Sequence, residues 1–200
     1  MKKRYIFTVL VLISGFLFFY GCGGAGTGGA PGSSGSEETG ILVKSVNIIG
    51  NDDTPDDIDV NIHLCEGGEP EVGLFREDAT ITIGATRVNP GLDTFPATVE
   101  ECTITYLKDP GDPASPIIEA MTIYPNCSFT DADSNECRVQ LLDIQRKVDF
   151  WDDVTSGKFV PRNMPTRYVA SYDCRYFNVY REEGFFKVEY EIYLADFEMC

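Results

Sequence analysis

Four segments of this chain alternate apolar and polar residues with a period of two. Tight-turn signals separate them, and only one short stretch carries helical spacing. Together these observations predict an all-β chain, an antiparallel immunoglobulin-like β-sandwich of about seven or eight strands. The 160 residues from Ile41 to Cys200 suffice for one domain with a sizeable core.

Residues 42–49 form the first candidate strand. Ile58, Val60, Ile62 and Leu64 then alternate with Asp59, Asn61 and His63. Ile81, Ile83 and Ala85 alternate with Thr80, Thr82 and Thr86, and Cys102, Ile104 and Tyr106 with Thr103 and Thr105. The most regular run sets Phe186, Val188, Tyr190, Ile192 and Leu194 against Lys187, Glu189 and Glu191, the pattern of a half-buried strand. Residues 118–124 and 168–180 complete the set. Turns are expected at Asn89-Pro90-Gly91, at Asp109-Pro110-Gly111-Asp112-Pro113 and at Arg181-Glu182-Glu183-Gly184. Only residues 139–148, with Leu141, Ile144, Gln145 and Val148, carry helix spacing, and they read equally as a strand with a bulge.

The N-terminus has a different logic. Lys2, Lys3 and Arg4 precede a 16-residue apolar run, Tyr5 to Tyr20, too short for a permanent bilayer span of about 20 residues. A basic start, a short apolar core and a small residue before a cut describe a secretory signal. Phe19-Tyr20-Gly21-Cys22 resembles the lipobox of bacterial lipoproteins in its Gly21 and Cys22, and departs from it at Phe19 and Tyr20. The resemblance implies removal of residues 1–21, a diacylglyceryl group on Cys22, acylation of the new N-terminus and firm anchoring. By the sorting pattern of that family, Gly23 after the cysteine implies the outer membrane. Residues 22–40, rich in glycine and serine, read as the lipidated cysteine and a flexible tether, with residues 41–200 as the sandwich domain. The glycines are not a phosphate-binding loop, because no strand precedes them and no Lys-Ser/Thr follows.

The chain has 16 basic and 32 acidic residues. Removing the signal leaves 13 basic against 32 acidic, a net of −19, which argues against nucleic acid and anionic headgroups as partners. Of seven cysteines, six remain once Cys22 is set aside: Cys65, Cys102, Cys127, Cys137, Cys174 and Cys200. An even number in an exported domain predicts three disulfides. Cys127 and Cys137 flank one polar loop, Asn126 to Glu136, and are the expected neighbours; the pairing of the other four stays open. No Cys-x-x-Cys spacing supports redox or zinc-ribbon chemistry.

Catalytic signals are sparse. His63 is the only histidine and falls on the polar face of its strand, so histidine-based nucleophilic catalysis has little to work with. Glu100-Glu101 and Glu182-Glu183 read as solvated positions. Asp131, Asp133 and Asn135 resemble the opening of a calcium loop, although Glu136 and Leu142 stand where Gly and a closing Glu are expected. No other cofactor is expected. Aromatics crowd the last third of the chain and are expected mainly in the core.

The layout of tether, one β-sandwich and a final amphipathic strand also resembles that of bacterial envelope lipoproteins. It implies a fold and a location, and no activity. The leading expectation, with no catalytic motif in view, is a non-catalytic binding or structural module, used in adhesion, as a scaffold or as an accessory subunit. Its expected partners are the membrane, through the N-terminal lipid, and an envelope protein or glycan. A carboxylate-based glycan hydrolase of the envelope is the alternative.

Overall fold

The computed structural model describes residues 29–50, 57–61, 63–64, 70–72 and 74–197. Its elements are α1 (Ser36–Thr39), β1 (Ile41–Gly50), β2 (Asp57–Asp59), β3 (His63–Leu64), β4 (Pro70–Val72), β5 (Glu77–Arg87), β6 (Ala97–Lys108), β7 (Met121–Ile123), β8 (Cys127–Phe129), β9 (Ala132–Leu142), α2 (Ile144–Thr155), β10 (Thr166–Phe177) and β11 (Glu183–Ala195).

One sheet has the order β1-β5-β9. A larger one has the order β2-β11-β10-β6-β7, with β8 also paired to β6, and β3 with β4 makes a short ribbon. All the pairings are antiparallel except β2 with β11, which is parallel, so the larger sheet is mixed rather than purely antiparallel. The domain is therefore all-β in its sheets, a sandwich in general outline, with one substantial helix. The near end is where β1 begins and β10 ends; the far end is where β6 and β9 end and β10 begins.

Alternation does what the sequence requires of it. Tyr168, Ala170, Tyr172, Cys174 and Tyr176 of β10 point inward and are buried, opposite inward residues of β6 and β11. The hydroxyls of Tyr168 and Tyr172, and of Tyr106 on β6, do not go unpaired. Tyr106 Oη donates to Leu141 O at 2.6 Å and Tyr172 Oη to Gln140 O at 3.0 Å, joining the larger sheet to β9 of the smaller one. Tyr168 Oη donates to Pro116 O at 2.8 Å. A buried phenol supplies large apolar area provided its oxygen finds a partner, and all three meet that condition. Phe129 meets Tyr176 edge-on at 5.3 Å and Phe95 at 6.1 Å. The aromatics of the last third are thus mainly core, with Tyr180 and Phe185 exposed.

Two disulfides fall within the described residues. Cys127–Cys137 links β8 of the larger sheet to β9 of the smaller one. Cys102–Cys174 joins directly opposed positions of β6 and β10. Cys22, Cys65 and Cys200 lie outside the described residues.

Three expectations are corrected and one open reading is resolved. The stretch Asn126 to Glu136 is not a polar loop: β8 and the start of β9 run through it, because β9 pairs with β5 from Ala132 onward despite its polar residues. The hairpin before β11 turns at 178–182, not 181–184. Asn178 Oδ1 accepts from the N–H groups of Tyr180 and Glu182, both at 2.9 Å, and Glu183 already belongs to the strand. Gly184 is needed inside that strand, since a Cβ there would lie 2.3 Å from the Tyr176 ring. The ambiguous stretch 139–148 is both things, strand to Leu142 and helix from Ile144.

The third correction concerns the tether. Residues 29–40 are packed on the domain: Ala30, Ser33 and Thr39 are buried. Ser34 bridges Phe185, its N–H donating to Phe185 O at 3.0 Å and its O accepting at 3.1 Å. Ala30 N donates to Val43 O at 2.7 Å. The small residues that suit a flexible tether also suit a chain laid closely over a sheet, as at Gly32, whose missing Cβ makes room for Lys187.

A candidate binding groove at the far end

Asp143 follows the last residue of β9 and caps the helix α2. Its Oδ1 accepts from Arg146 N at 2.8 Å, satisfying one of the helix's unpaired N–H groups. Lys147, Phe150, Trp151 and Val154 then recur at helical spacing and turn towards the core. Phe150 meets Tyr168 edge-on at 6.1 Å. Gly157, with φ of +73°, closes the helix in the left-handed conformation favoured there, and its N–H reaches Val154 O at 3.1 Å.

Between α2, the strap 117–119 and residues 158–159 lies a groove of about 610 Å³. Ile117 and Phe159 supply apolar surface, and Glu119, Asp149, Asp152 and Asp153 supply carboxylates. Arg146 and Lys158 are the cations of its lining. Arg146 fixes the groove's shape: its Nε donates to Glu119 O at 2.7 Å, its Nη2 to Ala120 O at 2.8 Å, and its Nη1 pairs with Asp143. One guanidinium thereby clamps the strap to the helix. Lys158 pairs with Asp153 at 2.8 Å and lies over Phe159 at 5.3 Å. Gln145 Nε2 donates to Asp149 Oδ1 at 2.8 Å. Glu119 and Asp152 keep carboxylates without a partner among the described residues. The groove is therefore clamped at its strap, acidic in balance and apolar in part.

Beneath it, Lys147 is 2% exposed and donates to Glu77 Oε1 at 2.6 Å. A buried ammonium needs such a partner, and this one ties α2 to the first residue of β5.

The expected calcium ligands are placed differently. Asp133 is 87% exposed at its side chain and pairs with Lys44; Asp131 Oδ2 lies 3.6 Å from Arg87 Nε. Asn135 Oδ1 accepts from Thr130 N at 2.9 Å and from Thr130 Oγ1 at 3.1 Å. The three share one strand end, yet each is turned to a separate partner of the protein's own. No group of three or more His, Cys, Asp or Glu side chains is gathered as a metal site among the described residues. Both Glu pairs are salt-bridged or bonded: Glu100 to Arg181, Glu101 and Glu183 to Arg175, and Glu182 to Asn178. His63 lies in β3.

The groove itself was not anticipated from sequence. A usable signal existed in Asp143 as a cap, the apolar series 147, 150, 151 and 154, and Gly157 as the stop.

No family model matches this chain, and no curated protein matches it. A solved structure titled "X-ray structure of Northeast Structural Genomics Consortium target SoR45" is 7% identical, with a TM-score of 0.34. The match covers 78% of this chain and 87% of that one. Among the described residues, no helix is long and apolar enough to cross a membrane.

Proposed function

We propose that this chain is a lipid-anchored envelope protein, an immunoglobulin-like sandwich held at the outer membrane through Cys22, which acts as a non-catalytic binding module. The far-end groove is its contact site, and its partner is a basic segment of an envelope protein carrying at least one apolar side chain. The observation that supports this is the groove's make-up. Glu119 and Asp152 offer unpaired negative charge beside the exposed Ile117, on walls that Arg146 holds in place. Charge complementarity of this kind steers encounter, while the apolar contact contributes affinity. The reading requires no cofactor.

The test is crosslinking of the native lipidated protein in its own envelope, followed by the same experiment with Asp152→Lys and Ile117→Asp. A stoichiometric partner lost in both variants, with unchanged melting temperature, is the expected result. A partner retained in both removes the groove from the account.

A second reading draws on the four carboxylates of the groove: hydrolysis of an envelope glycan by a carboxylate acid and base. Because Asp149 and Asp153 are already bonded to Gln145 and Lys158, Glu119 and Asp152 would have to carry it. Glycan turnover that Asp152→Asn abolishes would replace the binding reading.

A further inference from the structure

At the near end two loops lie side by side, residues 88–93 before β6 and residues 178–182 before β11. Val179 N donates to Thr94 O, and Val88 N to Gly40 O at 2.9 Å. Together they expose four apolar side chains: Val88 at 55%, Leu92 at 45%, Val179 at 45% and Tyr180 at 57%. Two further features of these loops matter. Their cations are already paired, Arg87 with Asp93 at 3.1 Å and Arg181 with Glu100. Their backbone N–H groups are also largely satisfied within the protein. The N–H groups of Val88, Gly91, Leu92, Val179, Tyr180 and Arg181 all donate within the protein, and Pro90 has none. Unpaired backbone groups are what keep most loops out of hydrocarbon, so pairing these N–H groups lowers the cost of resting the apolar side chains in a bilayer interface, where headgroups and water still reach the loop carbonyls and charges.

The N-terminal segment leaves the domain from the same end. Gly40 touches Thr94 and Leu92 in space, and the chain runs back through α1 to Ser34 at Phe185 and Ala30 at Val43. Only seven residues, 23–29, separate Cys22 from Ala30. A chain of that length typically reaches about 15 Å and at most about 28 Å. From Val43 the strand β1 alone runs roughly 23 Å further towards the far end. A lipid on Cys22 thus brings the bilayer to the near end with slack to spare, and to the far end only at nearly full stretch.

We infer that the near end, through Val88, Leu92, Val179 and Tyr180, rests in the interface of the bilayer that holds Cys22, and that the far-end groove points away from it. This rests on the lipid-anchor reading. The surface suits zwitterionic lipid: the apolar set has no unpaired cation, and Glu37 and Glu38 stand nearby on α1. A tyrosine among aliphatic residues is also what a membrane interface favours.

The test uses the native lipidated full chain in vesicles of phosphatidylcholine with brominated acyl chains, which quench tryptophan on contact. The chain has one tryptophan, Trp151 on α2, and Trp151→Phe supplies a dark background. In that background Tyr180→Trp reports on the near end and Val160→Trp on the far end, both at exposed positions. Several-fold stronger quenching of the Tyr180→Trp protein is expected. Equal quenching, stronger quenching of the Val160→Trp protein, or none at either end overturns the orientation. Intact mass on the same sample separates the two claims. An acyl mass with the wrong quenching pattern sinks the orientation alone, whereas absence of the acyl mass sinks both.

Discussion

Lys147 and Glu77 show how one ion pair can decide the placement of an element. Lys147 is buried and Glu77 about one-third exposed, so the ammonium depends on the carboxylate more than the reverse. Glu77→Gln should cost about 2–3 kcal/mol, below the 3–5 kcal/mol typical of a fully buried pair, because solvent can partly replace the lost charge. Urea denaturation measures it; a change under about 0.5 kcal/mol, the level of ordinary surface substitutions, would contradict the buried pairing. The core tyrosines give a pH prediction. Desolvation by burial raises the pKa of Tyr106, Tyr168, Tyr172 and Tyr176 above the ordinary phenol value. Since the folded values lie above the unfolded one of about 10, their contribution is fully present below that pH and is lost as pH rises through the folded values. Phenolate absorbance should therefore show these four ionising only on alkaline unfolding. Their titration near pH 10 in folded protein would contradict their burial.

At the scale of elements, α2 is held by a cap and a clamp that share one residue. Asp143 accepts from Arg146 N and pairs with its guanidinium, so Asp143→Ala removes the cap and loosens the strap over the groove. About 1–2 kcal/mol of stability should be lost, with faster amide exchange in residues 144–148 and 117–120. Unchanged exchange at the strap would show that Arg146 clamps it unaided. The disulfides differ in the chain length they close, 72 residues for Cys102–Cys174 and 10 for Cys127–Cys137. Loop entropy predicts that replacing both cysteines by alanine costs about 4 kcal/mol for the first and about 3 for the second. The reverse order would mean that the link between sheets outweighs chain entropy. Strands were legible where alternation was unbroken, as along 186–194, since the period itself states which face is buried. The helix was obscured because Leu141 and Ile144 straddle a strand–helix junction, and a window across it mixes two periods. Asn126 to Glu136 read as a loop because the strand character from Ala132 onward comes from pairing with β5, a contact no local pattern reveals. Arg146 looked like any surface cation, its carbonyl partners lying 26 and 27 residues away.

At the scale of the whole molecule, the two ends differ: apolar loops lie at the near end, where we propose the lipid sits, and an acidic groove at the far end, with sheets and disulfides between. The docking of residues 29–40 matters to that proposal, since it leaves only seven residues between Cys22 and Ala30 to span the distance from a lipid to the domain. All of it depends on Cys22 being modified outside the cytoplasm. Mass spectrometry of the protein purified from its own membrane tests that most directly. It should show Cys22 as the first residue, bearing acyl chains. It should also find no free thiol, with Cys65 joined to Cys200, the pair left once the other four are bridged. A chain that still begins at Met1, without acyl mass and with reduced cysteines, would contradict the account.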